Sequence, residues 1–253
     1  MFVRETPGSR SLERGLLIFR AFRPGNNALT NADLAQRTGL ARSTVSRLTR
    51  TLVDNGFLEF DVATSTYQLG PPFLTFGQSV RQCSVVLSTA LPLMRDLAEG
   101  LTINVGLAVP DAGEMIYLES IRKSRLGIFS HLSSGSRMAV AEASLGHAWL
   151  YGLGEAARRD ALADIAGRYG NAWPARLRVI RNSFAQFEQR GFCAVAWSNG
   201  LVSVAAPLVV PGIRIHALNV SYPITSEQSK MEAKYGQLLL GARDKLCELL
   251  KSR

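Results

Sequence analysis

Apolar residues in the first part of the chain recur at helical spacing, then switch to strand alternation. In "SLERGLLIFRAFRP", Leu12, Leu16, Phe19 and Phe22 fall on one helical face. Ser11 is the expected N-cap, with Arg14 rather than Glu at the capping-box position, and Pro24-Gly25-Asn26-Asn27 ends the helix. "LTNADLAQRTGL" gives a second helix with Leu34 and Ala35 inward, Thr30 or Asn31 as its cap and Gly39 as a left-handed terminator. Residues 41–55 give a third, whose inward stripe is Val45, Leu48, Leu52 and Val53, and Gly56 stops it. "FLEFDVATSTYQLG" then alternates around the polar tip Ala63-Thr64-Ser65-Thr66 and reads as a β-hairpin. Helix, helix, short Gly turn, helix and hairpin is the order of a winged helix-turn-helix, whose second paired helix enters the DNA major groove.

Pro71-Pro72 marks a boundary. Residues 71–101 read as helix in two pieces, broken near Cys83 or Pro92. "INVGLAVP", "EMIYLESI" and "LGIFSHL" follow as strands, then "SLGHAWLYGL", "EAARRDALADIAGRYG" and "ARLRVIRNSFAQFEQRG" as helices. "FCAVAW", "VSVAAPLVV" and "IHALNVSYP" return to strand, and residues 226–250 close the chain as a helix. Strands, helices, strands and a helix predict an α+β domain with a mostly antiparallel sheet. The expected division is residues 1–70 as the winged helix-turn-helix, 71–82 as a linker helix and 83–253 as a second domain, with residues 1–10 a flexible tail.

The polar side of the third helix supplies the first candidate chemistry. Ser43 and Thr44 are poor mid-helix residues but suit a first turn, where short hydroxyls and free amides can meet phosphate. Arg42, Ser46, Arg47 and Arg50 extend that surface, with no acid before Asp54. Base contacts are expected from Arg42, Ser43, Thr44, Ser46 or Arg47. Arg50 and the wing hydroxyls Thr64, Ser65 and Thr66 are expected to touch phosphate or the minor groove.

Composition changes this picture little. A formal net charge of +9 calls for an anionic partner without choosing among nucleic acid, membrane and acidic ligand. Residues 1–82 hold 10 Arg against 6 acids, so much of the excess lies outside the proposed DNA-binding part. Hydrophobic residues make up 47% of the chain, enough for a sizeable core. Cys83, Cys193 and Cys247 are scattered and form no C-x-x-C, so neither a disulfide framework nor a zinc site is expected. No apolar signal core opens the chain and no apolar run approaches membrane-spanning length, so the expectation is a cytoplasmic protein without a membrane partner.

"SLERGLLIF", "ADLAQRTGLARSTVSRLTRTLVDNGFLEF" and "YQLGPPFLTFG" resemble the N-terminal domain of the IclR family of bacterial transcription regulators. "INVGLAVPDAGEMIYLESI", "SGSRMAVAEASLGHAWL", "FEQRGFCAV", "VSVAAPL" and "HALNVSYP" are similar to that family's second domain, so the resemblance covers about residues 9–250. It implies a winged helix-turn-helix, a linker helix and a GAF-like effector domain. It also implies a homodimer or homotetramer that binds double-stranded operator DNA and answers to a small metabolite, an aromatic or other carboxylate. No cofactor and no metal is implied. The chain departs from the family pattern at Ala139, Ala143 and His147, and in residues 193–203, where an acidic run is missing and Ala196 stands near a frequent effector-binding Asp.

By position in that resemblance, the effector site involves Ser144 and Leu145 at a helix start, Ser203 on one strand, and Asn219 and Ser221 on the next. Asn219 and Ser221 share a strand face, and a helix start suits a carboxylate. The alternative for Ser144 is a plain N-cap, and for Asn219 and Ser221 satisfaction of local backbone groups. Arg137 is the expected charge partner and Trp197 the expected pocket aromatic. His131, His147 and His216 share no ligand spacing.

Two near-motifs argue for an enzyme and fail on sequence. "EASLG" has Glu142 where a nucleophile elbow needs Gly, and no strand-like run leads into "GLGEAA". Two alternatives to an effector-modulated regulator stay open. One is a DNA-binding regulator whose second domain only oligomerises, and the other a small-molecule enzyme with an appended helical domain.

Overall fold

The computed structural model describes residues 8–123, 132–197 and 200–252. The chain forms two compact units, one ending at Cys83 and the other beginning at Ser84.

The first unit opens with helix α1 (Arg10–Ala21). Its N-cap is Ser9, whose side chain accepts from the Leu12 amide, so the helix starts earlier than the expected cap at Ser11. Helix α2 (Asn31–Thr38) carries a complete capping box between Thr30 and Asp33 and ends at Gly39 in the left-handed conformation. Helix α3 (Arg42–Asp54) follows at once. Strands β1 (Leu58–Asp61) and β2 (Thr66–Leu69) make an antiparallel hairpin that pairs Leu58 with Leu69 and Asp61 with Thr66. Ile18, Leu29, Leu34, Val45 and Leu58 meet in one small core. Leu48 and Leu52 are only half-buried, and Thr49 is fully buried among the apolar groups, with its hydroxyl donated to the Val45 carbonyl at 3.0 Å. That internal bond is what lets a threonine occupy the core side of the helix.

Helix α4 (Pro72–Cys83) buries none of its residues. The expected helical break falls at Ser84, which N-caps α5 (Val85–Leu101), while Pro92 lies inside α5.

The second unit is built on an antiparallel six-stranded sheet of order β5-β4-β3-β8-β7-β6. Its strands are β3 (Asn104–Asp111), β4 (Glu114–Arg122), β5 (Arg137–Ala139), β6 (Cys193–Trp197), β7 (Leu201–Leu208) and β8 (His216–Pro223). Strand alternation sorts the residues into two faces. Val105, Leu107, Val204, Leu218 and Val220 pack with α5 and with α9 (Gln228–Lys251). Ala108, Ala205, Ala217 and Cys193 face the other way, toward α6 (Ser144–Gly152), α7 (Glu155–Ala166) and α8 (Trp173–Arg190). On β3, β7 and β8 this second face carries small residues, so α6 lies close against that part of the sheet. The strand expected over "LGIFSHL", apart from Leu132, the N-terminal tail through residue 7, and His131 lie outside the described residues.

Among the described residues no helix is long and apolar enough to cross a membrane.

Candidate functional site

Helix α3 presents its polar side to solvent. Arg42, Ser43, Ser46, Arg47 and Arg50 are exposed and Thr44 is half-buried. Its N-cap is Ala41, which has no side-chain acceptor, so no capping side chain covers the first-turn amides. Arg50 stands 4.0 Å from Asp54 in an exposed i,i+4 pair, a contact worth little in water that leaves the cation available to a phosphate. Ser46 is more constrained. It donates to the Arg42 carbonyl at 3.0 Å and accepts from Asn31 Nδ2 at 2.9 Å.

The wing hydroxyls are largely bonded within the hairpin. Thr64 donates to Asp61 Oδ2 at 2.6 Å and shares a second hydroxyl contact with Thr66 at 2.8 Å. The Thr64 hydroxyl and the Ala63 amide hold the Asp61 carboxyl below the usual carboxylate range. Residues 58–69 contain Glu59 and Asp61 and no Lys or Arg. The hydroxyls expected to meet phosphate therefore sit on an anionic hairpin with two of the three already engaged, and Ser65 at the tip is the exposed remainder.

The second unit holds a narrow cavity of about 10 Å³, room for about one water. Ser144, Leu145, Ser203, Asn219 and Ser221 all line it. Register explains the meeting. Ser203 on β7 lies opposite Ser221 on β8, and Gly106 on β3 lies opposite Asn219. Ser144 is not an N-cap, since that position is Ala143. Instead its hydroxyl donates to Ser203 Oγ at 2.8 Å, which also accepts from Asn219 Nδ2 at 2.8 Å. The sequence reading missed Tyr117, Leu132, Met138, Ala143, Leu201 and Val202 in this wall. Of these, Tyr117 was readable from the alternation of Met115 and Tyr117 along β4. Burial pushes its phenol above the ordinary tyrosine value, against the opposing influences of Arg122 and Asn219.

Two glycines make this arrangement possible. A Cβ on Gly106 would fall 2.4 Å from the Tyr117 ring and 2.5 Å from Asn219 Oδ1, so the two polar side chains approach each other across a bare backbone. A Cβ on Gly146 would fall 2.1 Å from the Val140 carbonyl oxygen, so only glycine lets the first turn of α6 pack on the chain that leads into it.

Arg137 corrects the expectation of a cavity cation. Its guanidinium donates to Glu114 Oε2 at 2.7 Å and to Asp111 Oδ2 at 2.7 Å, bracing the β3–β4 hairpin. Successive residues of a strand face opposite ways, and it is the next residue, Met138, that lines the cavity. No Lys or Arg is among the described residues of the wall. Trp197 ends β6 paired with the wall residue Leu201, and its side chain lies outside the described residues.

His147 is fully buried behind the cavity, with Nδ1 2.8 Å from Ser183 Oγ and Nε2 3.2 Å from the Ala141 carbonyl. Burial lowers its pKa to about 4. Burial likewise raises the Cys193 thiol to about 12. Neither group is poised for acid–base or nucleophilic work near neutral pH. The hydroxyl of Ser144 is bonded to Ser203, and the partners of His147 are Ser183 and Ala141, so the near-motif around Ser144 assembles no catalytic pair. The segment Gly152-Leu153-Gly154 joins α6 to α7 rather than following a strand. Among the described residues no three His, Cys, Asp or Glu groups stand together as metal ligands.

Comparison with known proteins agrees with both units. Residues 11–62 match the family model described as the IclR helix-turn-helix domain. The Pca regulon regulatory protein of Pseudomonas putida is 28% identical over 249 residues, which span 95% of this chain and 84% of that protein. A crystal structure of an IclR family transcriptional regulator from Brucella abortus superposes with a TM-score of 0.87 at 30% identity, covering 98% of this chain and 96% of that one. An IclR homolog from Microbacterium hydrocarbonoxydans, crystallised in complex with 4-hydroxybenzoate, shares the fold with a TM-score of 0.71 at 21% identity, covering 96% and 100% of the two chains. These relatives are regulators. A helix pair with an exposed cationic face, followed by a sheet domain holding a polar-lined cavity, is thus found here in a DNA-binding transcriptional regulator, and the chain belongs to the IclR family.

Proposed function

We propose that α3 enters the major groove of operator DNA with Arg42, Ser43, Thr44 and Arg47 toward base edges and Arg50 toward the backbone. The observation that carries this is the outer face of α3, where three arginines meet one acid at the far end. Arg is suited to bidentate contact with guanine and phosphate. The test is a gel-shift with the upstream region of the neighbouring genes, at several salt concentrations, for the wild type and for Arg47→Ala. Binding should weaken as salt rises and weaken further in the variant. Equal binding by the variant and the wild type would sink the assignment.

The same reading makes the cavity an effector site for a small carboxylate with an apolar body. Leu132, Met138 and the Tyr117 ring supply an apolar wall, while Ser144, Ser203, Asn219 and Ser221 supply a polar end. With no cation in the described wall, the ligand's charge would be met by hydroxyls and by the amide end of α6. The room inside, about 10 Å³, is that of a single water, so a ring or short chain would enter by moving the apolar wall aside. The Microbacterium homolog, with its bound 4-hydroxybenzoate, makes aromatic acids the first to try. A thermal-shift panel of aromatic and aliphatic carboxylates separates this from a second unit that only oligomerises. A panel that moves no melting temperature would favour the latter.

An oligomer is part of the proposal. Leu12 and Leu16 on α1 and Leu74, Phe76 and Val80 on α4 are exposed. The two helices are neighbours, with the Phe19 and Phe73 rings 4.8 Å apart. Such an apolar surface fits a second copy of this chain. Leu74→Glu should lower the mass in sedimentation to that of a monomer, and an unchanged mass would remove this face from the interface.

A further inference from the structure

The contact between Asn31 and Ser46 reassigns one of the DNA contacts expected of α3. Asn31 opens α2, and its Nδ2 reaches across to Ser46 Oγ at 2.9 Å. Ser46 donates its own proton to the Arg42 carbonyl at 3.0 Å. A serine hydroxyl has one proton and two lone pairs, and phosphate oxygens only accept. With its proton committed, Ser46 has nothing to donate to a phosphate. Asn31 keeps a second N–H on the same amide nitrogen. It sits on the first helix of the pair, the one that crosses the DNA backbone while its partner lies in the groove. The nearby acid on α2, Asp33, is bound by the Thr30 amide at 2.9 Å and the Thr30 hydroxyl at 2.7 Å.

We infer that Asn31 donates to a DNA phosphate and that Ser46 is the positioning residue that holds its carboxamide in place. The inference rests on DNA binding through α3.

The test uses the full chain and a duplex selected by it from a random pool. Asn31→Ala should lose roughly ten-fold in affinity, the scale of one hydrogen bond to a charged acceptor. The loss should be the same on unrelated DNA, because a phosphate contact carries no sequence. Its log–log salt slope should match the wild type, since a neutral amide displaces no counterion, whereas Arg50→Ala, which removes a cation from the backbone, should reduce the slope by about 0.9. Ser46→Ala combined with Asn31→Ala should bind no worse than Asn31→Ala alone. Among duplexes carrying single neutral methylphosphonates, one should erase the difference between the wild type and Asn31→Ala. Asn31→Asp keeps the size but turns a carboxylate toward the backbone, so it should bind more weakly than Asn31→Ala at equal thermal stability. Wild-type affinity in both Asn31 variants, with Arg47→Ala weakened, would overturn the inference. So would full additivity of the Asn31 and Ser46 losses, or a loss confined to the selected sequence. Wild-type affinity in Arg47→Ala as well would mean that the α3 reading itself has failed.

Discussion

The hydroxyl of Ser144 lies 2.8 Å from that of Ser203, joining the first residue of α6 to the middle of β7. Ser203 also receives the Asn219 amide, so one oxygen ties a helix and two strands at the polar end of the cavity. Ser203→Ala is therefore expected to leave a buried hydroxyl and a buried amide short of their partner, at a cost of about 1–3 kcal/mol. Urea denaturation measures the loss. Any carboxylate that raises the wild-type melting temperature should bind this variant at least ten-fold more weakly in titration calorimetry. Unchanged stability and affinity together would show that the network is incidental.

Arg137 separates stability from ligand binding. Its guanidinium lies between Asp111 and Glu114, all three side chains being largely buried. Arg137→Met should destabilise the fold by about 1–3 kcal/mol by leaving two carboxylates facing each other, below the range for fully buried pairs. The effector dissociation constant should stay within about two-fold of the wild type, because Met138 and not Arg137 faces the cavity. A large loss of effector affinity at normal stability would restore Arg137 as a ligand contact.

The acidic wing predicts a gain of function. Asp61 stays ionised throughout the neutral range, held there by the Thr64 hydroxyl and the Ala63 amide. Asp61→Asn keeps the acceptor oxygen and removes a charge beside the DNA. A few-fold tighter binding is expected at low salt, fading as the ionic strength rises. Weaker binding in this variant would mean that the wing carboxylate serves the complex.

His147 sets a pH dependence of stability. Burial lowers its pKa from an unfolded value of 6.5 to about 4. The folded state thus favours the neutral ring. Its contribution is fully present above pH 6.5, declines as the pH falls below that, and is gone below about pH 4. The shift corresponds to roughly 3 kcal/mol between the two limits. Against the wild type, His147→Gln should flatten the stability profile between pH 6.5 and 4. Parallel profiles would show that the ring is protonated freely in the fold.

Several elements were legible because their signals are local. Val45 faces inward and Arg47 outward on α3 because helical periodicity is set within a few residues. Asn219 and Ser221 share a face because a strand repeats every two. Other details were not local. Ser9 and Ser11 both precede Leu12, and only the backbone path makes Ser9 the cap. Thr49 carries no apolar signal in the sequence, and its place in the core rests on a hydroxyl bonded to its own helix.

The sequence by itself determined the helix pair with its hairpin and the order of strands and helices that follows, since these arise from short-range pattern. Tertiary structure decided which of those residues meet. Ser144 and Ser203 are 59 positions apart and touch only because α6 lies on the small-residue face of the sheet. Arg137 finds acids 26 and 23 positions away because β5 pairs beside their hairpin, and this takes it from the cavity to a structural brace. Asn31 reaches Ser46 because two helices pack across a tight turn. No local pattern encodes such pairings, because each depends on the register and packing of elements that are distant along the chain.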